Sequence, residues 1–325
     1  MAPLKTTFAG LELKSPIIIS SSGLTDSPEK IKRLEEAGAA AVVLKSVFEE
    51  QINAQAGSMN GYGSPEADDY LNAYLRSHTL NKHIELIEET KKQCSIPVIA
   101  SINCYNNNEW TDFAKLMEKT GADALEVNIL ALQTDKNYIP GSFEQHHLNI
   151  LRHVKNEVKI PVIMKLGNNF TNPVTLIDQL YANGADAAVL FNRFYQPDFD
   201  IEHLTFCNAH VMSSEYELAD RLRWTAIASA TVPQLDYAVS GGVHDGKGVI
   251  KAILAGACAV EICTAVYLQG EKVIQAMLDE LAQWMKSKSF DKLAQFKGKM
   301  NAQAAGTINP FERTQFMKYY SNHEE

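Results

Sequence analysis

The feature that most constrains this chain is a phrase it repeats. Four stretches of helical character run into a glycine followed by a short apolar run: AGAAAV at 37–42, TGADAL at 120–125, NGADAA at 183–188 and AGACAV at 255–260. A glycine at that point lets a helix stop in a left-handed turn before the next strand. The unequal intervals mark successive strand–helix units and exclude a solenoid of short fixed repeat. The same alternation continues between the copies. Strand candidates are Pro16–Ser20, Ala40–Lys45, Pro97–Ile102, Ala124–Val127, Pro161–Leu166, Ala187–Phe191, Tyr237–Ser240 and Ala259–Cys263. Most are too continuously hydrophobic to own a solvent face, so they read as parallel strands covered by helices.

The covering helices are expected at Ser27–Ala37, Asn81–Gln93, Glu109–Thr120, Gln145–Glu157, Pro173–Ala182, Glu217–Ala230, Gly246–Leu254 and Glu271–Lys286. Ser27 before Pro28 and Asn172 before Pro173 are capping pairs. Eight units without a Pro/Gly/Ser linker or a charge block predict an α/β fold, a closed (β/α)8 TIM barrel spanning 1–325 as one domain. Two connections are long, 46–80 and 192–216. Both leave carboxyl ends of strands, where they are expected to act as lids or substrate walls. The run 295–325 either folds back over the barrel or serves a subunit contact.

Charge narrows the partners. Thirty Lys and Arg against 39 Asp and Glu leave a net charge of −9, with no basic stripe to neutralise a phosphate backbone. Nucleic acid is therefore not an expected partner. The opening residues lack a basic flank before an apolar core, and no stretch is long and apolar enough for a membrane helix, so a cytoplasmic protein without a membrane partner is expected. Five scattered cysteines with no C-x-x-C pair predict neither a disulfide framework nor a metal site.

Nearly every apolar run ends in a polar group: Ser20-Ser21-Ser22-Gly23, Lys45-Ser46, Asn103, Asn128, Lys165, Asn192, Ser240-Gly241-Gly242 and Thr264. A barrel gathers all of these at one mouth. One lysine there is ordinary snorkelling. Lys45 and Lys165 together, with no acidic residue at a neighbouring strand end, predict that the missing anion is a ligand, either a phosphate or a ring that gains negative charge. Val-Ser-Gly-Gly-Val at 239–243 and Cys263-Thr264 follow the seventh and eighth strand candidates, the usual place for a phosphate in such barrels.

With these pieces in order, the chain resembles the dihydroorotate dehydrogenase family of FMN-containing barrels. The resemblance is carried over residues 5–290 by GLELKSPIIISSSG, VLKS at 43–46, LEVNI at 125–129, IPVIMKL at 160–166, LFN at 190–192, VSGGV at 239–243 and GACAVEICTAV at 256–266. It implies FMN as cofactor. Ser22, Gly23, Lys45 and Ser46 would contact the flavin ring or ribityl chain, Asn103 and Asn128 the ring region, and Lys165 its pyrimidine edge. Ser240, Gly241, Gly242, Cys263 and Thr264 would hold the phosphate end. Lys45, Asn128 and Asn192 would bind a small planar or amide-bearing substrate that is oxidised or reduced at a carbon–carbon bond.

Two departures accompany the resemblance. The family's Asn-x-Ser-Cys-Pro-Asn segment, whose Cys (Ser in the membrane-associated class) removes a proton, reads Asn128-Ile129-Leu130-Ala131-Leu132-Gln133 here, with Ala131 at the base position. Thr134, Asp135 or Tyr138 would have to stand in, Thr134 being the residue assigned. Only fragments of the family's Asn-x-Met-Gly-x-x-Asn segment survive, at 57–63. Dihydroorotate is thus expected to be a poor substrate. Two rivals stay open: a Schiff-base lyase or aldolase with Lys165 as nucleophile, and a flavin-binding homologue without catalysis. A homodimer is compatible with the sequence. His146-His147 and Asn106-Asn107-Asn108 are read as solvated or capping residues, Cys104 as a small buried hydrophobe, and the Lys/Glu mixture at 82–92 as a solvated helix face.

Overall fold

The computed structural model describes residues 4–48, 80–103, 110–304, 306 and 309–312. Its strands are β1 Thr6–Phe8, β2 Leu11–Leu13, β3 Ile17–Ile19, β4 Ala41–Val43, β5 Val47–Phe48, β6 Val98–Asn103, β7 Ala124–Asn128, β8 Val162–Leu166, β9 Ala187–Leu190, β10 Pro197–Asp200, β11 Thr205–Asn208, β12 Asp236–Ser240 and β13 Ala259–Ile262. Parallel pairing runs β3–β4–β6–β7–β8–β9–β12–β13 and closes from β13 back to β3. This is the eight-stranded barrel expected from the sequence. All eight expected strands are present, shifted by a residue or two at their ends.

The helices are α1 Pro28–Glu36, α2 at 80–93, α3 Trp110–Thr120, α4 Ser142–Glu157, α5 Pro173–Ala182, α6 Leu218–Thr231, α7 Gly246–Ala255, α8 Thr264–Gln269 and α9 Lys272–Ser287. Ser27 and Asn172 accept hydrogen bonds from the backbone N–H groups of Lys30 and Thr175, as capping residues should. The glycines of the repeated phrase, Gly38, Gly121, Gly184 and Gly256, all take positive φ, from +90° to +115°. Each turns a helix end into the next strand at a conformation costly for other residues.

Strand alternation divides the core. Ile17, Ile19, Val42, Val98, Ala100, Leu125, Val127, Val162 and Met164 pack outward against the helices, while Ile18, Ala41, Val43, Ile99, Ala124, Ile163, Ala187, Val189, Ala238 and Ala259 fill the inside. Alanines at five of these inner positions leave room for large side chains from elsewhere. The β1–β2 hairpin supplies them: Phe8 and Leu13 are buried in that inner cluster. Ala9 and Gly10 form its two-residue turn, both at positive φ. Ala9 N–H donates to Asp236 Oδ2 at 3.0 Å and Thr6 Oγ1 to the Cys258 carbonyl at 3.0 Å, fastening the hairpin under β12 and β13. The barrel is thereby plugged at its amino-terminal end and open at the other.

Three further features differ from or extend the sequence reading. The connection 192–216 carries an antiparallel ribbon, β10–β11, with Phe199, Ile201, Leu204 and Phe206 exposed. Residues 297–302 fold back on the barrel: Gly298, Met300 and Ala302 N–H groups donate to the carbonyls of Ile253, Leu254 and Ala226, and Phe296 is fully buried beside Trp284 and Phe290. His147 is not solvated but buried, because α4 starts at Ser142 and places it one turn after Phe143, edge-on against the stacked Phe143 and Phe170 rings. The Lys and Glu side chains at 82–92 are exposed as expected. Residues 49–79 and Cys104–Glu109, with the 57–63 segment, Cys104 and the three asparagines, lie outside the described residues.

Candidate active site

Toward the carboxyl ends the inward positions change character. Two residues beyond the apolar inner layer, the same alternation presents Ser20, Ser101, Glu126, Lys165, Ser240 and Glu261, all buried. Register sets them side by side, Ser101 opposite Glu126 and Ser240 opposite Glu261. One step further out, Asn103 pairs with Asn128, and Asn128 with Lys165. Above this layer lies a cavity of about 320 Å³, at the lower end of the size range of small-molecule sites.

Ser46, Asn103, Asn128, Lys165, Asn192, Ser240, Gly241, Gly242, Cys263 and Thr264 line that cavity. Ser22, Gly23, Lys45 and Thr134 do not. Ser22 is tied into its own turn, donating to the Ser20 carbonyl and accepting from Leu24 N–H. The Gly23 carbonyl accepts from Lys30 Nζ at 2.9 Å. Lys45 and Thr134 are exposed, as is Asp135, while Tyr138 is half-buried with its hydroxyl 3.4 Å from Glu144. Asn192 Oδ1 accepts from Arg193 N–H at 2.7 Å. The Asn128 side chain is buried, and its Oδ1 has no donor among the described residues.

Lys165 departs from expectation. No acid stands at the neighbouring strand ends themselves, but two glutamates lie one inward position below them. Lys165 Nζ donates to Glu261 Oε2 at 2.6 Å, to Ser20 Oγ at 3.1 Å and to Glu126 Oε1 at 3.3 Å, which uses all three ammonium hydrogens. Burial disfavours its charge, but Glu126 and Glu261 outweigh burial and hold the ammonium above its ordinary value. An amine held protonated has no lone pair for a carbonyl carbon, which removes the ground for a Schiff-base nucleophile. The premise of two free cations facing a missing anion is likewise overturned. A hydroxyl chain flanks the cluster, Ser21 to Ser46 at 2.9 Å and Ser46 to Ser101 at 2.7 Å.

Opposite, Gly241 and Gly242 form a concave turn at φ +91° and +79°. A Cβ on Gly242 would sit 2.4 Å from Leu218 N, so only glycine fits there. Beneath the turn lies a cation that sequence reasoning missed. Arg221 is 5% exposed, its Nε has no acceptor among the described residues, and it is 3.3 Å from where a Gly241 Cβ would be. Its Nη1 and Nη2 bind Glu217, which also receives Arg193 Nε. Ser213 N–H donates to Thr264 Oγ1 at 3.2 Å and its hydroxyl meets His244 Nε2 at 3.0 Å, closing the loop 209–214 over this side. Glycine turns, a hydroxyl and a buried guanidinium suit an anionic group such as a phosphate. The orphaned Asn128 carbonyl oxygen suits a ring N–H.

Among the described residues no helix is long and apolar enough to cross a membrane, and no group of three or more His, Cys, Asp or Glu could hold a metal ion. The sequence model of the dihydroorotate dehydrogenase family matches residues 3–204. The catalytic subunit of dihydroorotate dehydrogenase B (NAD(+)) from Thermoplasma volcanium is 30% identical, over 92% of this chain and 98% of that protein. Proteins of the same name from Methanocella arvoryzae and Methanocaldococcus jannaschii are 31% and 26% identical, over 79% and 88% of this chain and 85% and 94% of theirs. Family match and near full-length relatives agree with the barrel and its polar mouth: the chain belongs to the dihydroorotate dehydrogenase family, a family of flavin-dependent oxidoreductases.

Proposed function

We propose that the cavity binds FMN without a covalent link and that the protein oxidises or reduces a carbon–carbon bond of a small planar or amide-bearing molecule. The observation that carries this is the convergence, on one cavity, of a glycine turn backed by Arg221, the unpartnered Asn128 oxygen and the buried Lys165. Gly241, Gly242, Cys263 and Thr264 would hold the phosphate, with Ser240 beside them. Asn103 and Asn128 would hold the ring and Ser46 its near edge, whereas Ser22, Gly23 and Lys45, which do not line the cavity, would reach the ribityl chain only after a local shift. Bound there, FMN supplies hydride chemistry. The chain's own part is orientation by Asn128 and Asn192, the glutamate-paired Lys165 ammonium at the cavity floor, and exclusion of water by Leu130 and Phe191.

Proton removal is where this chain departs from the pattern that the family resemblance implies. Ala131 has no proton acceptor, and its carbonyl is engaged by Asn169 Nδ2 at 2.9 Å. Thr134 would serve as base only after the loop turns its hydroxyl inward. Losing a positioned base costs roughly 10²–10⁴-fold. Dihydroorotate, the substrate in the relatives' names, is therefore proposed to be turned over poorly. The test is anaerobic mixing of the yellow protein with dihydroorotate while the flavin absorbance is followed. Slow or absent bleaching is expected; bleaching at catalytic rates overturns this substrate reading, and a colourless protein that takes up no FMN overturns the flavin reading. A homodimer and a cytoplasmic location belong to the same proposal. The exposed apolar β10–β11 ribbon supports the first, and light scattering would show a doubled mass.

A further inference from the structure

Lys165, Glu126 and Glu261 meet at the floor of the cavity, none more than 5% exposed. The bonds from Lys165 and from Ser20 Oγ, which donates to Glu261 Oε2 at 3.2 Å, leave Glu126 Oε2 and Glu261 Oε1 with no donor among the described residues, although both are shut off from water. Both carboxyl groups meet the same ammonium, and either could satisfy the other's orphaned oxygen only by donating a proton to it. Two ionised carboxylates are acceptors only and cannot do so. Fully ionised, the trio would bury one unbalanced negative charge, which costs several kcal/mol.

We infer that Glu126 and Glu261 share one proton, carried by Glu126 and donated to Glu261, so that Lys165 faces a ligand from a cluster of zero net charge. Geometry assigns the proton to Glu126: Glu261 has the shorter contact with Lys165 and also the Ser20 hydroxyl. In keeping with this, burial and then the Glu261 charge push the Glu126 carboxyl well above the usual carboxylate range. Burial pushes Glu261 the same way, but the Lys165 charge and the bonds from Glu126, Lys165 and Ser20 hold it below.

Both glutamates are positioning residues that set the charge Lys165 presents, and this consequence rests on the FMN reading of the cavity. Removing either carboxyl leaves the net charge at zero, because the remaining one gives up the shared proton and becomes the counter-ion of Lys165. Removing both leaves an unbalanced cation, which favours a ring that gains negative charge.

The test has two arms. In the protein stripped of FMN, infrared spectra near neutral pH should show the carbonyl stretch of one protonated carboxyl, absent from both Glu126→Gln and Glu261→Gln. In the FMN-loaded protein, the equilibrium constant for two-electron reduction against a reference dye should change less than about threefold in either single variant. It should rise at least tenfold, about 30 mV, in the double variant. A wild-type protein without the protonated-carboxyl band overturns the inference, as do single variants that each raise the constant and add in the double. The infrared arm decides it even if the double variant does not fold. A protein that shows the band but binds no FMN would sink the flavin reading and leave the shared proton standing.

Discussion

The two ends of the barrel interior are built from the same strands and the same alternation, yet they hold opposite chemistry. At the amino-terminal end the inward positions are Ala41, Ala124, Ala187, Ala238 and Ala259, packed with Phe8 and Leu13 of the hairpin. Nearer the carboxyl ends they are Ser20, Ser101, Glu126, Lys165, Ser240 and Glu261. The plugged end gains stability from apolar burial. The open end gives stability up, because its polar groups are buried and some of them, such as Asn128 Oδ1, lack a partner among the described residues. A polar layer that destabilises the fold is what a ligand can complete.

If that division is right, changes at the open end should cost ligand and changes at the plug should cost stability. The largest effect on the ligand is expected from Gly242→Val, whose side chain would collide with the Leu218 backbone and push the glycine turn out of place. FMN retention should fall by at least about 100-fold, equivalent to roughly 3 kcal/mol, with the circular dichroism of the barrel retained. Equilibrium dialysis checks this, and undiminished retention would break the comparison at the mouth.

Phe8→Ala should do the reverse. Truncating a fully buried aromatic ring costs about 3–5 kcal/mol, read from the denaturant midpoint, while the flavin absorbance of the loaded protein stays unchanged. A flavin lost together with the ring would mean that plug and mouth are not independent.

His147 sharpens the comparison on the outer side of the barrel. Its burial against Phe143 and Phe170 pushes its pKa from 6.5 down to about 4. The unfolded chain therefore takes up a proton that the folded one refuses, and stability is lost as the pH falls from 6.5 toward 4. The loss from this residue is about 3 kcal/mol over that interval. His147→Phe should flatten that part of the stability profile, and an unaltered profile would show that His147 is not held neutral.

The barrel was legible because strands covered on both faces are written as unbroken apolar runs, and each repeated glycine marks where a helix yields to one. The Lys165 cluster was half hidden for the same reason. Glu126 and Glu261 sit inside such runs, in LEVN and AVEIC, two residues before Asn128 and Cys263. Attention to strand ends passed over them. Period-two alternation would have placed each on the inward face directly below its strand end, and a carboxylate in an otherwise apolar strand was the signal. The β1–β2 hairpin escaped because its turn is Ala-Gly, with alanine where the residues that favour positive φ usually stand. Arg221 carries no such mark; a helix places it beneath Gly241 only after folding.

The plug also sets an order of events during synthesis. Thr6 and Ala9 bond to Cys258 and Asp236, partners 252 and 227 residues away. The hairpin emerges from the ribosome long before those strands exist, so Phe8 and Leu13 must wait, uncovered, for nearly the whole barrel to be made. The segment translated early is among the last to dock, and throughout that interval its two large apolar side chains are what a chaperone would find.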